Sequence, residues 1–170
     1  MIFDGIKEPK KYELRSLERH EIPKLVALFK KVFKKNWDDN YWNWFFYSHP
    51  YKTFSLGLWD QDKLIGQYCG QEKKLCVKGK EYKSVLGSTA VIDSDYRGQG
   101  LFIYMAKKMY NLLSRQGYLL FYGFPNAAYD CGLYFNKFSW DFCTKKSMLI
   151  KDLNNNMGSF QTENLNIEII

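Results

Sequence analysis

Between residues 54 and 124 the chain runs strand, strand, strand, helix, strand, and this order constrains the fold more than any other feature. Residues 54–59 and 64–77 read as strands joined by the polar turn Asp60-Gln61-Asp62-Lys63. Lys78-Gly79-Lys80 is a second turn, and it leads into a third strand over 82–92. A loop with two glycines follows, then a helix with Leu101, Met105, Met109 and Leu112 on one face and Gly117 as its C-terminal stop. The apolar run 118–124 suits a central buried strand. Hairpin-linked strands first and a helical crossover later predict a mixed sheet with helices on both sides, an α/β or α+β layout.

The flanking segments extend this pattern. Residues 12–17 alternate as a short strand. Ile22, Leu25, Val26, Phe29, Val32 and Phe33 recur at helical spacing, with Pro23 in the first turn, where a missing N–H is tolerated. Asp38-Asp39 can cap a second helix that runs to about His49. Downstream, Pro125-Asn126 opens a shorter helix to about Ser139, residues 140–150 form a strand, and 165–170 are a candidate last one.

A length of 170 residues suits one domain spanning 1–170. The excess of Lys and Arg, 25 against 18 Asp and Glu, is concentrated early, since residues 1–37 hold ten basic and five acidic side chains. Such an excess suits a polyanionic small molecule, a nucleic acid or an acidic surface without choosing among them. The lysines of the first helix, Lys24, Lys30, Lys31, Lys34 and Lys35, read first as a solvated polar face and alternatively as a surface for an acidic acceptor or nucleic acid. Cys69, Cys76, Cys131 and Cys143 show no C-x-x-C spacing, and with only His20 and His49 no zinc site is expected. No signal peptide or membrane-length apolar run is visible. The economical expectation is a cytoplasmic protein with reduced thiols.

The segment Ile92-Asp93-Ser94-Asp95-Tyr96-Arg97-Gly98-Gln99-Gly100-Leu101-Phe102 carries the functional signal. It reads as a strand end, a glycine-bearing turn and a helix start. Helix N-termini present backbone N–H groups without partners and a partial positive charge. Gly98 and Gly100 allow close backbone approach to a phosphate, and Arg97 adds a cationic fork. On spacing alone, an anion site and a ligand-free turn fit equally well.

Asp95-Tyr96-Arg97-Gly98-Gln99-Gly100-Leu101-Phe102 resembles the acetyl-CoA loop of the GNAT superfamily, usually written Q/R-x-x-G-x-G/A. Leu86-Gly87-Ser88-Thr89-Ala90-Val91-Ile92 is similar to that family's fourth strand, Phe124-Pro125-Asn126 to the start of its fourth helix, and Phe135-Asn136-Lys137-Phe138-Ser139-Trp140 to its Y-E-K-L-G-F ending. The resemblance implies a three-layer α/β/α fold with a V-shaped splay between the fourth and fifth strands. It also implies an N-acetyltransferase that uses acetyl-CoA as co-substrate. Pantetheine would pair with the backbone of Ala90, Val91 and Ile92, the pyrophosphate would sit on the N–H groups of Arg97, Gly98, Gln99, Gly100, Leu101 and Phe102, and Asn126 would reach the pantetheine or the thioester region. Two positions depart from the family pattern, with Asp95 where Gln or Arg is usual and Phe135 where a general-acid Tyr is common.

Direct attack of an amine on the thioester needs a base for the amine and a proton for the leaving thiolate. By the resemblance, Tyr134, adjacent to Phe135, is the candidate acid. The base is open among Glu72, Asp93 through a water, and Ser88 or Thr89 as water anchors. The aromatic segment 37–51 would cover the acceptor side; most of it reads as core, with Trp42 or Tyr41 as candidate pocket residues and His49 as a loop residue. The expected partner is a small-molecule or sugar amine, with no nucleic acid and no membrane, and an incomplete last strand leaves room for a homodimer. Two other readings stand beside this one: a non-catalytic GNAT-like module that binds CoA or an acyl group, and a basic, aromatic nucleic-acid binder, which the placement of the lysines on a helix apart from the aromatics makes the weakest.

Overall fold

A computed structural model describes residues 3, 5, 6 and 8–124. The helix expected from Asn126 and the strands expected over 140–150 and 165–170 lie outside them. The chain divides into two compact units, Met1–Cys131 and Gly132–Ile170, and every described residue belongs to the first.

Among the described residues five strands form one sheet in sequence order: β1 (Glu13–Ser16), β2 (Thr53–Asp60), β3 (Lys63–Val77), β4 (Lys80–Ile92) and β5 (Leu120–Tyr122). The first four are antiparallel neighbours, whereas β4 and β5 run parallel. A parallel pair needs a crossover, and helix α3 (Leu101–Arg115) supplies it. The mixed sheet expected from the element order is therefore present.

Helices cover both faces. Successive side chains on a strand point to opposite faces. Tyr68 meets Phe102 and Tyr110 of α3, whereas its neighbour Cys69 belongs to the core beneath α1 (Ile22–Phe33) together with Leu25, Phe29, Trp59 and Val91. Helix α1 begins where Glu21, almost wholly buried, takes both guanidinium nitrogens of Arg15 and caps the backbone of Glu18. The Arg15 hydrogen bonds overcome burial and hold the Glu21 carboxyl below its ordinary value. Pro23 sits in the first turn, and Lys34 ends the helix at φ 58°.

Helix α2 (Asp39–Asn43) is capped as expected, the Asp38 carboxylate accepting from the amide of Tyr41. The rest of the segment predicted as one helix to His49 widens into a π turn, Trp44–Ser48. Trp42 is fully buried against Phe29, Phe46 and Phe45. It is a core residue, which corrects its candidacy for a pocket wall. Tyr41 is half-buried and stacks on Trp37 and Phe45.

Three other expectations shift. In α1, Leu28 is buried and Phe33 is exposed. In α3 the buried face is Leu101, Met105, Ala106, Met109 and Leu113, not Leu112, because Leu113 continues the four-residue spacing from Leu101. The run 118–124 yields only the short β5, which with β1 is an edge of the described sheet, and Leu119 is 69% exposed. Its apolar content suits a strand buried on both sides, but β4 is its one described neighbour. No helix among the described residues is long and apolar enough to cross a membrane.

Candidate active site

Two irregularities meet at the middle of β4. Cys69 pairs with Thr89 and Gly70 with Gly87, so Ser88 is an extra residue without a partner on β3. A bulge of this kind bends a strand and sharpens its twist. On the opposite edge the parallel ladder to β5 ends at Leu86–Tyr122, although β4 continues to Ile92. The Phe121 ring fills the last closed step, since a Cβ on Gly87 would come within 2.9 Å of it. Beyond that point the β4 edge over 87–92 has no ladder partner among the described residues. A strand edge without a ladder partner offers backbone donors and acceptors to an extended ligand.

Only backbone is available for such contact along much of this edge. Val91 is buried beneath α1, the Ile92 side chain is directed at the space above Gly66 beside Met105, and Ala90 is half-buried. Ser88 is exposed, and its hydroxyl donates to the Leu86 carbonyl at 3.1 Å. Thr89 donates to Gln67 at 3.1 Å, and Gln67 in turn donates to Ser55 at 3.2 Å. This buried polar row also includes Cys69, whose thiol burial pushes well above its ordinary range, Thr89 and Gln67 hydrogen bonds opposing. A thiol held protonated in this way is no nucleophile.

At the end of β4 the chain turns through Ser94–Tyr96 and Gly98 into α3. Gly98 and Gly100 have φ of 78° and 73°, which side chains rarely tolerate, and a Cβ at either would meet no protein atom within 4 Å. Gly100 is the N-cap and no side chain caps the helix. Leu101 is buried and the Phe102 ring packs on Tyr68, so apolar anchors fix the helix while its first-turn amides lack an intrahelical partner. The Arg97 Nε donates to the carbonyl of Ile92, folding this side chain against the strand end. Gln99 accepts from the hydroxyl of Tyr12 at 3.1 Å, and Tyr96 donates to Asp60 at 2.9 Å.

Asp93 lies beneath this turn and is 1% exposed. Its Oδ1 accepts from Lys31 of α1 and from the amide of Asp95. Its Oδ2 has the Lys63 ammonium 3.0 Å away as an ion pair, without an aligned hydrogen bond. Burial alone would raise the Asp93 carboxyl, but Lys31, Lys63 and the Asp95 amide overcome it and hold the group down at about 2. A carboxylate this acidic and this enclosed is a poor base, which corrects the candidacy of Asp93 for accepting a proton through water. Lys31 also donates to Asp95, so this lysine, exposed as expected on the helix face, is ion-paired as well. Asp95, which departs from the family pattern, is neutralised from α1.

Glu72 is not gathered with these groups. It lies opposite Val85 on β4, three residues before the bulge, and interacts with the hydroxyl of Tyr118, just past the C-terminal end of α3. Burial first, then the Glu72 charge, pushes the Tyr118 hydroxyl up. His49 is a loop residue that accepts from the amide of Tyr51 at 3.2 Å. Tyr134 and Asn126 lie outside the described residues. Lys31, Lys63, Tyr12 and Gln67 were not singled out as site residues from sequence, because each meets the loop or the bulge from another element.

A family model described as an acetyltransferase (GNAT) domain matches residues 13–143, most of the chain and all five described strands. The chain belongs to the GNAT acetyltransferase family. No curated protein matches it. Solved GNAT-like structures share the fold at low identity. A glucosamine-6-phosphate N-acetyltransferase from Arabidopsis thaliana aligns with TM-score 0.68 at 13% identity, over 84% of this chain and 100% of its own. A ribosomal-protein-alanine N-acetyltransferase from Brucella melitensis biovar Abortus gives 0.64 at 12%, over 82% and 98%. An aminoglycoside acetyltransferase from an uncultured soil metagenomic sample, solved with sisomicin, gives 0.61 at 14%, over 83% and 95%. In this GNAT chain the α3 N-terminus carries no side-chain cap, and residues 87–92 of β4 have no ladder partner on the β5 side among the described residues.

Proposed function

We propose that this chain is an N-acetyltransferase that moves the acetyl group of acetyl-CoA to an amine on a small molecule or sugar. The observation that carries the reading is the uncapped start of α3 behind Gly98 and Gly100, which follows a β4 edge over 87–92 that has no ladder partner on the β5 side among the described residues. The residues fit the coenzyme. Both glycines leave open space where a Cβ would stand, the first-turn amides suit a diphosphate, and the strand edge suits the amide groups of pantetheine.

The acceptor nitrogen attacks the thioester carbonyl carbon, the C–S bond breaks, the nitrogen loses a proton and the sulfur gains one. Donors near the bulge would stabilise the developing oxyanion. Ser88 is favoured over Glu72 as the anchor of a proton-accepting water, because it is exposed at the bulge whereas Glu72 turns to Tyr118. Tyr134 as proton donor to the sulfur, and Asn126 beside the pantetheine, rest on the family resemblance. An amino-sugar acceptor is supported by solved neighbours named for glucosamine-6-phosphate and for an aminoglycoside.

Calorimetric titration of the full chain with acetyl-CoA and CoA tests the donor site. Micromolar binding is expected, about −8 kcal/mol. Gly100→Val should abolish it, since the new side chain fills space the protein itself leaves empty, while the strained backbone costs only about 1–2 kcal/mol of stability. Thiol release with a panel of amino sugars then tests turnover. An absence of CoA binding by the parent chain would overturn the proposal.

A further inference from the structure

The turn that leads into α3 carries two acids, Asp93 and Asp95, immediately before the amides assigned to a diphosphate. Two uncompensated carboxylates there would repel such a ligand. Each is matched by a lysine from another element. Lys31, on α1, donates to both carboxylates. Lys63, at the start of β3, pairs with Asp93 and lies over the Tyr96 ring at 4.7 Å. The two acids and two lysines cancel, so Arg97 and the helix N-terminus are left to set a positive local potential.

From this geometry we infer that Lys31 is a positioning residue for the acetyl-CoA diphosphate, acting through Asp93 and Asp95 rather than by touching the ligand. The inference rests on the acetyl-CoA reading above. Lys31 does two things at once. It ties α1 to the end of β4, fixing the turn from which Gly98 and Gly100 project. It also neutralises Asp95, the residue standing where the family usually has Gln or Arg. Lys63 alone cannot replace it, because Lys63 reaches only Asp93 among the two acids.

CoA binding to the purified full chain, measured by calorimetry at low and at physiological salt, tests this. Lys31→Met should weaken CoA binding roughly tenfold, the scale of one screened charge–charge interaction. The loss should shrink as salt rises. Lys31→Arg should bind within about threefold of the parent, since it retains the charge and two or more donors. Adding Asp95→Asn to Lys31→Met should recover most of the lost affinity, an effect that a purely structural lysine would not produce. If Lys31→Met does not fold, Asp95→Asn alone carries the test, because it keeps the Lys31–Asp93 pair. It should bind CoA as tightly as the parent or more tightly. Equal affinity of Lys31→Met and parent, no recovery in the double variant, or weaker binding by Asp95→Asn would each overturn the inference. Failure of the parent itself to bind CoA would instead overturn the donor assignment, so the two are separable.

Discussion

Replacing Asp93 by Asn should destabilise the protein by about 2 kcal/mol at neutral pH, and the difference should fade in acid. Asparagine keeps the shape and can still accept from the Asp95 amide, so the substitution removes mainly the charge. The carboxyl is held at about 2 against an ordinary 3.8. A tenfold change in proton affinity corresponds to about 1.4 kcal/mol, which puts the stabilisation of the charged form at roughly 2 kcal/mol. Loss of one partner from a buried ion pair costs about 3–5 kcal/mol when the remaining charge stays buried. The lower figure applies here, because Lys31 and Lys63 have side chains 39% and 50% exposed and can regain water. The folded-state value is depressed, so the stabilisation is complete above about pH 5 and is lost as the pH falls towards 2, with roughly half remaining at pH 3. Urea unfolding of parent and variant at pH 7, 5 and 3 measures the difference directly. A difference that stays constant from pH 7 to pH 3, grows in acid, or falls below about 0.5 kcal/mol at pH 7 would refute the charge-based account.

Two further outcomes follow from burial. Trp42→Ala should cost about 3–5 kcal/mol, because a fully enclosed ring leaves a cavity among Phe29, Phe45 and Phe46, whereas Trp44→Ala, with its residue 52% exposed, should cost under about 1 kcal/mol; equal costs in denaturant titration would contradict the assignment of core and surface. Iodoacetamide at pH 8 should label Cys76, which is exposed, and spare Cys69 until the protein is unfolded, as read by peptide mass spectrometry; native labelling of Cys69 at a comparable rate would show that its enclosure is wrong.

Much of the fold was legible because its signals are local. The three strands of 53–92, the helix opened by Pro23, the Asp38 cap and the stop at Gly117 each depend on residues within one or two turns of each other, and each is present. The glycine-bearing loop before α3 was legible for the same reason, since positive-φ glycines before a helix form a short-range pattern. Boundaries set by neighbours were less legible: Leu113 replaces Leu112 on the buried face of α3, and β5 is shorter than its apolar run.

The sequence by itself determined the order of the described elements, the family and the position of the glycine-bearing turn before α3, because periodicity, caps and glycines act over a few residues. Only the tertiary structure decided that Ser88 is the bulged residue, that Trp42 is core, and that Asp93 is a clamped anion and not a base. Lys31 and Asp93 are 62 residues apart in the chain, and Lys31 looks like any other lysine on a polar helix face until α1 is laid against the end of β4. A charge acquires its role from the partners that folding brings to it, and no spacing rule along the chain encodes those partners.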